Sequence, residues 1–158
     1  HDNYLNCPVI ENIETSNEMH KKGIFEQIIG FNKTNVSFLG LSFKSGTDDL
    51  RSSPIIDIIE QLIGKGFQVR IYDKNVHLSK LMGANKDYIM QKIPYISHFI
   101  TDDPDIIVAD SDVIIVVNND DGFSEILNRV PENKVIYDLV NIDFDSRFKN
   151  SNYRGICW

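Results

Sequence analysis

The sequence predicts a doubly wound, mainly parallel α/β sheet with helices on both faces. Three observations carry that prediction. Val113–Val117 is an unbroken run of five apolar β-branched residues, and a strand covered on both faces needs no polar alternation. Asn35–Leu41, Pro54–Gly66 and Phe67–Asp73 follow one another as strand former, helix former and strand former, the order of a parallel crossover. Further strand-like runs at Val135–Val140 and Tyr153–Trp158 are separated from these by helix-compatible segments.

The opening stretch, His1–Glu14, shows no clean period and reads as a partly ordered lead-in. From Thr15 a helix is expected, with Met19, Ile24, Phe25, Ile28 and Ile29 on one broad face, Ser16 or Asn17 as its cap and Gly30 as its stop. The Pro54 helix has proline in its first turn, where the missing donor costs nothing, and Ser52 or Ser53 is placed to cap it. Between residues 75 and 93, helix-compatible stretches lie around Val76–Met82 and Lys86–Ile93, with Gly83 as a break and Pro94 as the end. A short strand is expected near His98–Ile100. Asp103–Ala109 reads as a short helix with Ile106, Ile107 and Ala109 inward, Asp110–Asp112 as a turn, Phe123–Val130 as a helix, and Asp143–Asn150 as polar surface. The division expected is 1–33, the end of a helical region and linker, and 34–158, the α/β domain.

Composition narrows the function. The chain has 158 residues with 42% hydrophobic and 25% charged, which fits one globular core. The formal charge is −7, and Phe99–Ile126 holds eight acidic residues with no Lys or Arg, so neither nucleic acid nor an anionic membrane surface is an expected partner. No apolar run approaches the roughly 20 residues of a membrane-spanning helix. The polar start is unlike a signal peptide, and Cys7 and Cys157 set up no disulfide framework, so a reduced cytoplasmic protein is expected. His1, His20, His77 and His98 are dispersed, Asp102, Asp103 and Asp105 lack calcium-loop spacing, and no G-x-S-x-G turn occurs. No metal site is expected.

The segment richest in chemistry is Gly40-Leu-Ser-Phe-Lys-Ser-Gly46-Thr-Asp-Asp-Leu-Arg51-Ser-Ser-Pro54, between a strand and a helix. Open α/β sheets bind ligands at such strand ends. Gly40 and Gly46 permit close backbone approach, and the N-terminus of the Pro54 helix offers N–H groups to an anion. Neither the G-x-G-x-x-G of a dinucleotide fold nor the G-K-[ST] of a phosphate-binding loop is present. On the residues alone, an anion-binding loop and a structural crossover both stand.

The pattern G-x-x-F-K-x-x-T-x-D-x-R-x-S-P is long and chemically mixed, and in it the chain resembles the C-terminal domain of the UDP-glucose and GDP-mannose dehydrogenase family. Gly83-Ala-Asn-Lys-Asp-Tyr-Ile89, Lys92-Ile-Pro94 and Gly155-Ile-Cys-Trp158 place the resemblance in the GDP-mannose branch, with the UDP-glucose branch as the alternative. It covers nearly the whole chain and is weakest over the first dozen residues and around Asn141–Asn150. The resemblance implies an enzyme of three parts, an NAD-binding domain, a central helical region that forms a homodimer and a C-terminal domain that helps hold the nucleotide sugar. It implies oxidation of the sugar C6 alcohol to a carboxylate in two NAD-dependent steps through a cysteine-bound intermediate.

Carried over residue by residue, the resemblance puts Lys44, with Phe43 beside it, at the substrate, and Arg51 at the pyrophosphate of NAD, whose oxygens suit a guanidinium. The competing reading of Lys44 is a solvated loop cation. Gly40, Gly46, Thr47, Asp49 and Ser53 are expected to organise the loop, with Asp49 orienting Arg51 or capping loop N–H groups. Asp73 is placed to meet a nucleotide ribose or to cap a turn, and Asn118, Asn119 and Asn141 are weaker strand-end candidates. The family's cysteine sits in a G-G-x-C-x-P-K-D context that does not occur here, so neither Cys7 nor Cys157 is its counterpart and no catalytic residue is expected. The expectation is a fragment that binds GDP-mannose or a related nucleotide sugar and turns over only with the missing NAD-binding and central domains. A noncatalytic nucleotide-binding or regulatory protein of the same fold is the reading from another class.

Overall fold

The computed structural model describes residues 8–42, 44–51, 53–78, 81–144 and 151–156, with only the backbone for 8–11. Two compact units divide it, His1–Asn32 and Lys33–Trp158.

Among the described residues the first unit contains one helix, α1 (Pro8–Gly30). It begins well before the expected cap, so Ser16 and Asn17 are interior residues rather than caps. A proline at the first helical position presets φ and forfeits only a donor that has no partner there, which the missing apolar period did not reveal. Ile24 and Ile28, one turn apart, are buried, whereas Met19 is 70% exposed and so not part of the buried face. The helix stops at Gly30, and Asn32 takes the left-handed conformation, φ 54°, with its N–H donating to Ile29 O at 3.0 Å.

In the second unit the chain runs β1 (Asn35–Leu39), α2 (Pro54–Gly64), β2 (Gln68–Tyr72), α3 (Gly83–Lys92), a 3₁₀ turn (Ile96–His98), α4 (Pro104–Asp110), β3 (Val113–Val116), α5 (Phe123–Asn128), β4 (Val135–Asp138) and β5 (Tyr153–Gly155). Among the described residues five strands, all parallel, form a sheet in the order β2-β1-β3-β4-β5. Helices lie on both faces. Val36, Phe38, Val69, Ile71, Val113 and Ile115 share one face through the register of β1 with β2 and β3. Leu39, Ile114, Val116 and Ile136 share the other, in one cluster with Ile107 of α4 and Phe123, Ile126 and Leu127 of α5. Helix α2 buries Ile55, Ile56, Ile58, Ile59 and Leu62, at about 1.5–3 kcal/mol per side chain.

Several expectations are corrected here. Gly83 starts α3 instead of breaking a helix, and no α-helix covers the described part of Val76–Met82. Met82 precedes α3 in an extended conformation and Gly83 has φ 54°, so the turn into the helix uses the freedom that suggested a break. Near His98–Ile100 the backbone forms the 3₁₀ turn, and only Ile100 bridges, parallel to Ile71. In α4, Ile107 is buried but Ala109 is exposed. Ser53 stands at the N-cap of α2 without capping it, because its hydroxyl donates to Leu41 O at 3.0 Å, while Ser52 lies outside the described residues. Phe144, inside the supposedly polar Asp143–Asn150, is buried with its ring centroid 5.8 Å from that of Tyr153. Residues 145–150 lie outside the described set.

Candidate functional site

The chain leaves β1 toward β2 on one side of the sheet and reaches β3 on the other, so the loops after β1 and β3 part at the carboxyl edge. That switch point is where an open parallel sheet forms its ligand crevice. The described residues of the glycine-containing loop, 40–42, 44–51 and 53, follow β1 at that edge.

Its first residues prolong β1. Gly40 N–H donates to Tyr72 O at 2.9 Å, and Val117 N–H to Leu39 O at 2.9 Å. Gly40 has φ 97°, and a β-carbon there would sit 2.7 Å from the carboxamide carbon of Asn118. Both the backbone conformation and the close approach require glycine. Asn118 is buried, donates from Nδ2 to Ser42 Oγ at 3.3 Å, and leaves Oδ1 without a partner among the described residues.

Two buried carboxylates hold the loop. Asp73, at the end of β2, accepts at Oδ2 from the N–H groups of Leu41 (2.8 Å) and Ser42 (3.2 Å) and at Oδ1 from Asn75 N–H (2.9 Å). Asp120, after β3, accepts at Oδ1 from Ser45 Oγ (2.5 Å) and Gly46 N–H (2.9 Å) and at Oδ2 from Asn75 Nδ2 (2.6 Å). Lys74 Nζ donates to Asp121 O at 2.7 Å, which joins the β2 and β3 loops directly. At the far end, Asn85 of α3 accepts from Leu50 N–H (2.9 Å) and donates to Asp48 O (2.7 Å). The N–H groups of Leu41, Ser42, Gly46, Leu50 and Arg51 are therefore all engaged by the protein's own side chains. A backbone nest for phosphate needs such donors free, so this part of the loop is a scaffold and not a nest.

Two cations stand on that scaffold. Lys44 is exposed, and its carbonyl accepts from Ser42 Oγ (3.0 Å) and Thr47 Oγ1 (2.8 Å), which ties down its own peptide group. Arg51 donates from Nε to Asp49 Oδ1 (2.9 Å) and from Nη2 to Asp49 Oδ2 (2.8 Å). Asp49 also accepts from Arg51 N–H at 3.0 Å. Hydrogen bonding from Arg51 lowers the Asp49 carboxyl to about 2, and the same pairing raises the Arg51 guanidinium above its ordinary value. The fork engages Nε and Nη2, and Nη1 adds two further N–H donors to the same guanidinium.

Lys44, Gly40, Gly46, Thr47, Asp49, Arg51 and Ser53 thus belong to one braced loop, and Asp73 contributes a carboxylate to it from β2. Phe43 lies outside the described residues, as do Cys7 and Cys157. Asn141, φ 58°, belongs to the β4 end, where Asp138 accepts from Val140 N–H, Ile142 N–H and Tyr153 OH. Among the described residues no cluster of three His, Cys, Asp or Glu is placed to hold a metal ion, and no helix is long and apolar enough to cross a membrane. Sequence reading passed over Asp120, Asn75 and Asn85. Their position after strands or at a helix start was visible, but their partners lie 35 to 75 residues away along the chain.

The signature of the UDP-glucose/GDP-mannose dehydrogenase family, UDP binding domain, matches residues 37–143. The GDP-mannose 6-dehydrogenase of Pseudomonas syringae pv. tomato is 41% identical over 98% of this chain and 35% of its own length. A UDP-glucose 6-dehydrogenase of Rickettsia bellii is 28% identical over 89% of this chain and 32% of its own. The crystal structure of a ternary complex of GDP-mannose dehydrogenase from Pseudomonas aeruginosa superposes with a TM-score of 0.81 at 40% identity, over 96% of this chain and 34% of that one. The chain spans about a third of the length of the curated relatives it matches.

Proposed function

The chain belongs to the UDP-glucose/GDP-mannose dehydrogenase family, and from that membership we propose that it is the C-terminal, nucleotide-sugar-binding part of a cytoplasmic GDP-mannose 6-dehydrogenase. The higher identity to GDP-mannose relatives, 41% against 28% for a UDP-glucose relative, favours that branch. The observation that carries the reading is the pair of loop cations, Lys44 and Arg51, on a scaffold whose own donors are already engaged.

In this reading Lys44, with Phe43, meets the sugar end of GDP-mannose as a compact positive charge. Asp73 serves the same pocket through the loop it braces. Arg51 presents its remaining N–H groups to the pyrophosphate of NAD, and Asp49 keeps the guanidinium in place for it. NAD, held by the NAD-binding part of the enzyme, supplies the hydride acceptor for the two oxidations that take C6 from alcohol to carboxylate, giving GDP-mannuronate. This domain contributes orientation, since a correctly held C6 removes much of the entropic barrier to transfer. Its partners are the NAD-binding and central domains of the same enzyme and a second subunit of a homodimer.

Steady-state kinetics of the complete dehydrogenase test the assignment. Lys44→Ala is expected to raise KM for GDP-mannose about tenfold or more, and Arg51→Ala to raise KM for NAD by a similar factor. Unchanged KM for GDP-mannose in a folded Lys44→Ala enzyme contradicts the substrate role, and unchanged KM for NAD in Arg51→Ala contradicts the cofactor role.

A further inference from the structure

Asp120 is 4% exposed, and its carboxylate accepts hydrogen bonds from two other loops. A buried carboxylate is costly unless its oxygens are fully hydrogen-bonded. Among the described residues its donors are all neutral: the Ser45 hydroxyl, the Gly46 N–H and the Asn75 amide. What it holds is an exposed loop tip. Lys44 and Gly46 are exposed, and a β-carbon added at Gly46 would meet nothing within 4 Å. The tip buries no apolar side chain among the described residues, so bracing it adds little to the core.

The near part of the loop is already fixed without Asp120, by Asp73 at Leu41 and Ser42, and the far part by Asn85 at Leu50 and Asp48. Asp120 acts on the remaining stretch, immediately after Lys44. Ser45 Oγ also lies 3.0 Å from Asn119 O, so its single proton is shared between two acceptors of the β3 loop, with Asp120 Oδ1 the nearer at 2.5 Å. The turn at Gly46, φ 75°, then sends the chain back toward Thr47, whose hydroxyl closes on Lys44 O.

We propose that Asp120 is a positioning residue for nucleotide-sugar binding: by holding Ser45 and Gly46 it sets the direction in which Lys44 leaves the loop. The proposal rests on the assignment of Lys44 to the substrate. It predicts that Asp120 acts through Lys44, so that the two substitutions are strongly non-additive.

The test is a double-mutant cycle in the complete dehydrogenase with GDP-mannose as the varied substrate, each variant first checked for folding by circular dichroism and thermal melting. Asp120→Ala is expected to raise KM about tenfold with kcat and KM for NAD little changed, and to speed amide exchange at Gly46. Asp120→Asn keeps an oxygen for Ser45 and Gly46, and a flip of the Asn75 amide satisfies its new nitrogen. It is expected to stay within about threefold of the parent. In the Lys44→Ala background, Asp120→Ala is expected to add less than about twofold. Should Asp120→Ala not fold, Ser45→Ala removes one bond without stranding the carboxylate, and about a threefold rise in KM is expected. A full effect of Asp120→Ala in the Lys44→Ala background, or a loosened Gly46 amide with unchanged KM, overturns the proposal while the substrate role of Lys44 stands. If Ser45→Ala is the variant in use, an unchanged KM overturns it equally. Lys44→Ala without effect on KM overturns the underlying assignment, and this proposal with it.

Discussion

The carboxamide carbon of Asn118 lies 2.7 Å from the point where a β-carbon on Gly40 would sit. The contact joins the loops after β1 and β3 at the switch point of the sheet, and it leaves room at residue 40 for a hydrogen alone.

Gly40→Ala is therefore expected to destabilise the fold by roughly 2–4 kcal/mol, from the left-handed backbone and the overpacking together. Urea unfolding measures it. Asn118→Ala in the same chain should recover the packing part and leave the backbone part, because the two costs arise from different atoms. A Gly40→Ala chain as stable as the parent contradicts the geometry.

The strands were legible wherever burial on both faces removes alternation, as at Val113–Val116, and α2 was legible from Pro54 and its dense isoleucines. Local chemistry also pointed to the loop, because Gly40 and Gly46 are separated by the polar residues a strand-to-helix turn needs. The braces were not legible. Asp73 and Asp120 look like ordinary turn carboxylates until the sheet order brings β2 and β3 beside β1, and only then do their oxygens meet N–H groups at 41, 42 and 46. The role of Gly83 was missed for a different reason: a glycine's backbone freedom suits both a break and a helix entry and carries no local signal to choose between them. The start of α1 was hidden because His1–Glu14 has no clean apolar period.

The Asp49–Arg51 pair gives a pH dependence of definite sign. The folded-state pKa of Asp49 is lowered from 3.8 to about 2, so the pair's contribution is fully present above about pH 4 and is lost as pH falls through about 2. Following the Asp49 carboxyl carbon by NMR should show a midpoint near 2, returning toward 3.8 in Arg51→Ala. A parent midpoint near 3.8 means that the fork is not formed in solution.

Buried and half-exposed ion contacts should differ in weight. Tyr153 OH donates to Asp138 Oδ2 at 2.6 Å, and Asp138 is fully buried, so Tyr153→Phe is expected to cost about 1.5–3 kcal/mol. Lys92 Nζ meets Asp57 at 2.9 Å with both side chains partly in solvent, so Lys92→Met is expected to cost less than about 1 kcal/mol. Chemical denaturation of both variants checks the order. Equal costs would show that the β4–β5 end is not held by the Asp138 carboxylate.

The most direct test of the central claim is calorimetric titration of the complete dehydrogenase with GDP-mannose and, in matched conditions, with UDP-glucose, each repeated with Lys44→Ala. Saturable binding that prefers GDP-mannose and weakens about tenfold or more in the variant is the result predicted. Equal or stronger binding of UDP-glucose, or no change on removing Lys44, would contradict it.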